Sequence, residues 1–211
     1  MASSPLRLGT RSSKLARAQS EWVARELRHL GHAVELVEIT TQGDQQTGAL
    51  NALGGEGLFT KELERALLSQ DVDFAVHSLK DLPTEPVEGL KLAAVPLRAS
   101  AADVLVSNVA NSLKQLTAGA RVGTGSIRRI SQLLNFRPDL QLAGIRGNID
   151  TRLAKLDAGQ YDAIVLAEAG LQRLGLERRI TESFSTERML PAVGQGALGL
   201  ECRVDDQRTT M

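Results

Sequence analysis

The chain writes the same passage twice, and no other feature limits its fold so strongly. RLGTRSSKLARAQS (7–20) and RVGTGSIRRISQLL (121–134) both read Arg, aliphatic, Gly, Thr, any residue, Ser and then an amphipathic helix. A second pair, ERALLSQDVDFAV (64–76) and RLAKLDAGQYDAIV (152–165), reads as a helix running into a strand that begins with Asp. Around them, short apolar strands such as PLRLGT, AVELVEI and DFAVHS alternate with helices as far as Pro96. After it the pattern restarts with ADVLVS, RVGTGS, LQLAGI and YDAIVLAEAG. This order predicts an α/β fold with largely parallel sheets. Two similar α/β domains are expected to set their glycine turns opposite each other across a cleft, a usual ligand site. LPAVGQGALGLECRV (190–204) reads as a Gly-rich turn followed by an apolar strand that returns to the first sheet. The expected division is residues 1–96 with 197–211 as one domain and 100–190 as the other, with hinge segments at 97–99 and 191–196.

Composition narrows the function classes. At 211 residues and 42% hydrophobic, the chain can bury a core for one large domain or two small ones. Basic and acidic residues balance at 25 each and aromatics are 3%, so neither bulk positive charge nor stacking surface favours nucleic acid as a partner. The N-terminus lacks a signal-like apolar core and no stretch approaches a membrane span, which points to the cytoplasm with no membrane partner. One cysteine, Cys202, excludes an internal disulfide and a cysteine-cluster metal site. His29, His32 and His77 fit no ligand spacing, so no metal is expected. Of the 25 basic residues 19 are Arg, the side chain whose planar fork grips carboxylate and phosphate; a GC-rich genome would give the same skew.

The local chemistry concentrates at glycine turns. Ile127, Ile130, Leu133 and Leu134 predict an apolar helix face beginning near Ser126, which places Arg128 and Arg129 in the first turn. There the helix dipole disfavours cations by roughly 0.3–1 kcal/mol each. A bound anion would reverse that penalty: Gly123 and Gly125 allow backbone approach, and Thr124 and Ser126 supply hydroxyls. The plain alternative is that both arginines reach water. GIRGNIDTRL repeats the theme with Arg146 and Arg152, as do Arg11 with Ser13 in the first domain and Arg173 in AGLQRLG. Singly each reads equally as a surface arginine; together they suit a ligand with many carboxylates. AVHSLKDLPT (75–84) delivers His77, Ser78, Lys80 and Asp81 to the end of a buried strand. Asp81 is the only acid expected among these arginines, either as a turn residue before Pro83 or as a carboxylate that steadies a cation and moves protons.

At these residues the sequence resembles the porphobilinogen deaminase family, through GTRSSKLA, GLFTKELE, AVHSLKDLP, VGTGSIRR, RGNIDTRL, YDAIVLAEAGLQRLG and LPAVGQGALGLECR, in family order across nearly the whole chain. The resemblance implies two periplasmic-binding-protein-like α/β lobes with hinges and, in the family, a small third domain. It implies a monomeric transferase of tetrapyrrole and heme biosynthesis. Four porphobilinogens are deaminated and joined head to tail into hydroxymethylbilane on a dipyrromethane primer. By this match Asp81 is catalytic. Lys80, Asp81, Thr124, Ser126, Arg128, Arg129 and Arg146 would hold the dipyrromethane, and Arg11, Ser13, Arg146, Arg152, Arg173 and Gln195 the porphobilinogen and polypyrrole intermediates.

Three departures qualify the match. Gly125 stands where the family often has serine, and Glu56 in GGEGLF where many members have lysine. The family's primer is held by a thioether to a cysteine in a Gly-rich loop of the third domain, and no such loop is found here. Cys202, in the strand-like ALGLECRV, reads as a buried structural thiol. The chain is therefore expected to comprise the first two domains, without covalent dipyrromethane and inactive alone. The competing reading is a non-catalytic two-lobed binding protein for a carboxylate or phosphate ligand.

Overall fold

A computed structural model describes residues 4–39 and 60–210; Glu56 and its loop lie outside the described residues. The chain forms two compact units, Met1–Arg98 with Ala197–Met211, and Ala99–Gly196.

The first unit contains strands β1 (Leu6–Arg11), β2 (Val34–Ile39), β3 (Phe74–Ser78), β4 (Leu90–Ala94) and the returning β10 (Leu198–Arg203). Its helices are α1 (Lys14–His29), α2 (Lys61–Leu68) and the short α6 (Gln207–Thr210). The sheet order is β2-β1-β3-β10-β4. β1 runs parallel to β2 and β3, whereas β10 is antiparallel to both β3 and β4. The sheet is thus mixed where a largely parallel one was expected, because β10 enters from the opposite end. Strand alternation sends Leu8, Phe74, Val76, Leu198 and Cys202 toward Val23 and Ala24 of α1. Ala75 packs with Leu63, Ala66 and Leu67 of α2.

The second unit repeats this plan. Its strands are β5 (Asp103–Ser107), β6 (Arg121–Gly123), β7 (Gln141–Ala143), β8 (Ala163–Ala167) and β9 (Glu182–Ser183). Its helices are α3 (Ile127–Phe136), α4 (Ile149–Asp157) and α5 (Glu168–Arg173). The order β7-β6-β8-β5-β9 matches the first sheet place for place, again with three parallel strands beside an antiparallel pair. Core side chains from alternate strand positions, Leu105, Val122 and Val165 on one face and Val104, Val106 and Ile164 on the other, are fully buried. No described helix is long and apolar enough to cross a membrane.

The repeated Arg and Asp of the two sequence echoes form the same clamp in each unit. Arg7 N–H donates to Asp73 Oδ2 at 2.7 Å, and Arg121 N–H to Asp162 Oδ2 at 2.7 Å. The return bonds run from Asp73 N–H to Arg7 O (2.8 Å) and from Asp162 N–H to Arg121 O (2.9 Å). In the first unit the Arg7 guanidinium adds a 2.7 Å contact to Asp73 Oδ1. Burial works against ionisation of Asp73, but the hydrogen bonds and charge of Arg7 outweigh it and hold the carboxyl below the usual carboxylate range.

A depressed folded-state pKa stabilises above the unfolded carboxyl's value of about 3.9, and the contribution is lost as pH falls through the folded value. Asp73→Ala is expected to lower stability by about 1–3 kcal/mol at neutral pH in denaturant unfolding. The difference from wild type should shrink below about pH 4; an undiminished difference at pH 2 would assign the loss to packing instead.

Candidate active site

In the first unit, β1 and β3 are parallel neighbours, so their C-terminal ends open on one edge of the sheet. Arg11 ends β1, and Ser13 caps α1, its Oγ accepting a hydrogen bond from Ala16 N–H at 3.3 Å. β3 ends at Ser78 and passes into a single 3₁₀ turn, Leu79–Asp81, which exposes Lys80 and Asp81. Leu79 N–H donates to Ala197 O at 3.1 Å and Leu82 N–H to Leu79 O at 3.3 Å. Gly199 of β10 lies beneath: a Cβ there would come within 3.1 Å of Leu79 and 3.2 Å of Leu82. The turn is therefore held from below while its carboxylate stays open to a ligand, as proton transfer and cation stabilisation require. His77 points away from this exposed chemistry. It is buried, with Nε2 3.1 Å from Glu201 Oε2 on β10.

In the second unit, β7, β6 and β8 are parallel neighbours whose C-terminal ends deliver the Thr124–Ser126 turn, Arg146 and, through α5, Arg173 to one edge. Thr124 is fully buried and its Oγ1 accepts from Ser126 N–H at 3.2 Å. Ser126 in turn caps α3, Oγ accepting from Arg129 N–H at 3.4 Å, the counterpart of Ser13 on α1.

The expected apolar face of α3 is corrected here. Ile127 is 80% exposed and Leu134 is 40% exposed, while the buried residues of the helix are Arg129 and Leu133. Arg129 occupies a core-facing position because a buried acid meets it. Asp103 Oδ1 accepts from Arg129 Nε (3.0 Å) and Nη2 (2.7 Å), and Arg129 Nη1 donates to Val165 O at 3.0 Å. Asp103 Oδ2 lies 2.7 Å from Arg128 Nη1, and Gln195 Nε2 donates to Oδ1 at 2.9 Å. Gln195 also donates to Ala101 O at 2.6 Å. Burial raises the cost of the Asp103 charge, yet Arg129 and then Arg128 prevail and hold its carboxyl below the usual range. Arg128 keeps a quarter of its side chain exposed.

Asp103 is thus a second acid that meets these arginines, from within the core. Its one sequence signal is an aspartate heading the otherwise apolar strand ADVLVS. Gly123 is also explained differently: a Cβ there would lie 2.9 Å from the Tyr161 ring and 3.0 Å from Ile164, so packing already requires the glycine. Arg146 is exposed, its carbonyl accepting from Lys155 Nζ at 3.0 Å; Arg152 Nε donates to Gly147 O at 2.7 Å. Arg173 Nη2 donates to Gly196 O at 2.7 Å, and burial holds its pKa below the ordinary guanidinium value. Cys202 is completely buried in β10, against the α1 face of the sheet.

These two sheets define a periplasmic-binding-protein-like α/β class. The fold is similar to a periplasmic substrate-binding protein of an ABC transporter from Coxiella burnetii (TM-score 0.58, 16% identity, covering 97% of this chain and 88% of that one). It is also similar to the BvgS periplasmic VFT2 domain of Bordetella pertussis (TM-score 0.53, 13% identity, 97% and 83% covered). The family described as "Porphobilinogen deaminase, dipyromethane cofactor binding domain" matches residues 6–211. Porphobilinogen deaminases from Brevibacillus brevis and Shouchella clausii are 50% and 53% identical over 206 and 207 residues, each covering 96% of this chain and 67% of the relative. The chain belongs to the porphobilinogen deaminase family and spans about two thirds of the length of these relatives.

Removing the central acid strands the buried Arg129 guanidinium and leaves the partly open Arg128 beside it without a counter-charge. Asp103→Ala is expected to destabilise the protein by about 3–5 kcal/mol. Denaturant unfolding followed by the near-ultraviolet signal checks this; a loss below 1 kcal/mol would mean that the arginines find other acceptors.

Proposed function

We propose that this chain serves as part of a porphobilinogen deaminase, also called hydroxymethylbilane synthase, a transferase that deaminates four porphobilinogens and joins them head to tail. The observation that carries the reading is the exposed Asp81 carboxylate on a turn braced by β10, within a chain of this family. Asp81 accepts hydrogen bonds from pyrrole N–H groups and stabilises the cation formed as ammonia leaves. Each pyrrole brings an acetate and a propionate, which calls for cationic and hydroxyl donors. Lys80, Asp81, Thr124, Ser126, Arg128, Arg129 and Arg146 are proposed for the dipyrromethane, and Arg11, Ser13, Arg146, Arg152, Arg173 and Gln195 for porphobilinogen and the growing polypyrrole. Within these sets, Arg129 and Gln195 act by fixing Arg128 through Asp103, since all three bond that carboxylate or lie against it.

The donor set fits a group of this kind: guanidiniums and hydroxyls gathered at a capped helix start, where an anion is favoured. Bound, dipyrromethane supplies the primer end to which pyrroles are added. Cys202 is unsuited to anchoring it, because a fully buried strand thiol lacks the exposure that a reactive thiol needs. We also infer a cytoplasmic monomer that engages neither nucleic acid nor a membrane. A plain carboxylate or phosphate receptor is not favoured, given relatives that are named as the enzyme at half identity.

Two measurements test the reading. Asp81→Asn in the full-length protein should reduce porphobilinogen turnover by about 10²- to 10⁴-fold with the fold intact; turnover near wild type removes Asp81 from the mechanism. Intact-protein mass spectrometry followed by peptide mapping should find Cys202 unmodified, and a dipyrromethane thioether on that residue would overturn its exclusion.

A further inference from the structure

We propose that Gln19 is a positioning residue that sets the geometry of the Asp81 turn through Ser78. The proposal rests on the deaminase reading and deepens it. Gln19 lies on α1, 97% buried, on the stripe that also buries Ser20, Val23 and Ala24. Its Nε2 donates to Ser78 Oγ at 2.9 Å, crossing from the helix to the last residue of β3. Ser78 is the residue from which the 3₁₀ turn with Lys80 and Asp81 departs.

The contacts around that junction give the bond its purpose. The backbone of Ser78 is paired with Leu198, and Leu79 N–H is bonded to Ala197 O, so β10 fixes one side of the junction. Gln19 fixes the Ser78 side chain from the α1 side. The same helix is fastened to β1 by the buried Ser20 hydroxyl, which donates to Thr10 Oγ1 at 2.8 Å. Its start carries Ser13, which with Arg11 is proposed to hold substrate. Through Gln19 the cap at the start of α1 and the turn that follows β3 are tied together. A packing role alone would be met by Leu or Met, and a buried amide is costly unless its hydrogen bond is made.

The test is a double-mutant cycle in the full-length protein, with Gln19→Leu, Ser78→Ala and both together. It is read by porphobilinogen kinetics and by amide hydrogen exchange at Leu79 and Leu82. Gln19→Leu should lower kcat by roughly 10- to 100-fold, the scale of a displaced reacting group, with KM changed little. The double variant should lose no more than the worse single variant, because both remove one bond. Exchange at Leu79 and Leu82 should accelerate in Gln19→Leu. Wild-type kcat in Gln19→Leu, or losses that simply multiply in the double variant, would overturn the proposal while leaving the deaminase reading in place. Absence of turnover in the wild-type protein would instead remove that reading, and unchanged exchange at Leu79 and Leu82 would then overturn the positioning role by itself. Gln19→Met, of closer shape, replaces Gln19→Leu if the latter does not fold.

Discussion

The buried carboxylate of Asp103 decides how the second unit uses its positive charge. A guanidinium on the core side of a helix cannot be left unpaired, since an isolated buried charge costs far more than the helix can supply. Asp103 receives Arg129 through two nitrogens and sits against Arg128, so two cations and one anion leave a single net positive charge. That charge lies at the capped start of α3, where backbone amides also favour an anion. The arrangement separates two tasks that look alike in sequence: Arg129 completes the core, and Arg128 stays partly open.

The same division appears in the first unit with different chemistry. There the turn after β3 exposes Asp81, and other charged groups of the strands are paired elsewhere. Asp73 is clamped by Arg7 at the opposite end of the strands, and His77 meets Glu201 within the sheet. Both of these pairs are engaged away from the exposed Asp81 carboxylate. The returning strand supports the turn that carries this exposed acid: it contributes Ala197 and Gly199 to its bracing.

The sequence revealed the repeat because backbone constraints are periodic and local. Arg7 with Asp73 and Arg121 with Asp162 were visible as echoes, and the serine caps Ser13 and Ser126 were visible at the start of helical patterns. The Asp81 turn was marked by a buried strand leading into Pro83. Less was legible where partners come from distant parts of the chain. Asp103 meets Arg129 across 26 residues and Gln195 across 92, and nothing in ADVLVS announces either contact. The face of α3 departs from its hydrophobic spacing for the same reason: such spacing treats every arginine as solvent-facing, and a buried counter-ion reverses that rule for Arg129. The mixed sheet was also hidden, since strand direction is set by where β10 enters and not by its composition.

On the proposed function, the difference between the units would suit what a lengthening polypyrrole demands. Carboxylates accumulate with every added ring, so the residues that hold them must accept negative charge at several positions without collapsing onto one another. Tying Arg129 to Asp103 prevents two adjacent guanidiniums from repelling each other before any ligand arrives, and it fixes Arg128 by contact instead of leaving a flexible cation to be ordered on binding. The condensation itself asks for the opposite: one acid, in one place, for every pyrrole that reacts. A rigid turn meets that need because the same carboxylate geometry must serve each addition, and a turn that moved with chain length would lose the alignment on which proton transfer and cation stabilisation depend. On the proposed function, preorganised charge in the second unit and a braced acid in the first would each answer a substrate that changes size while its chemistry stays the same.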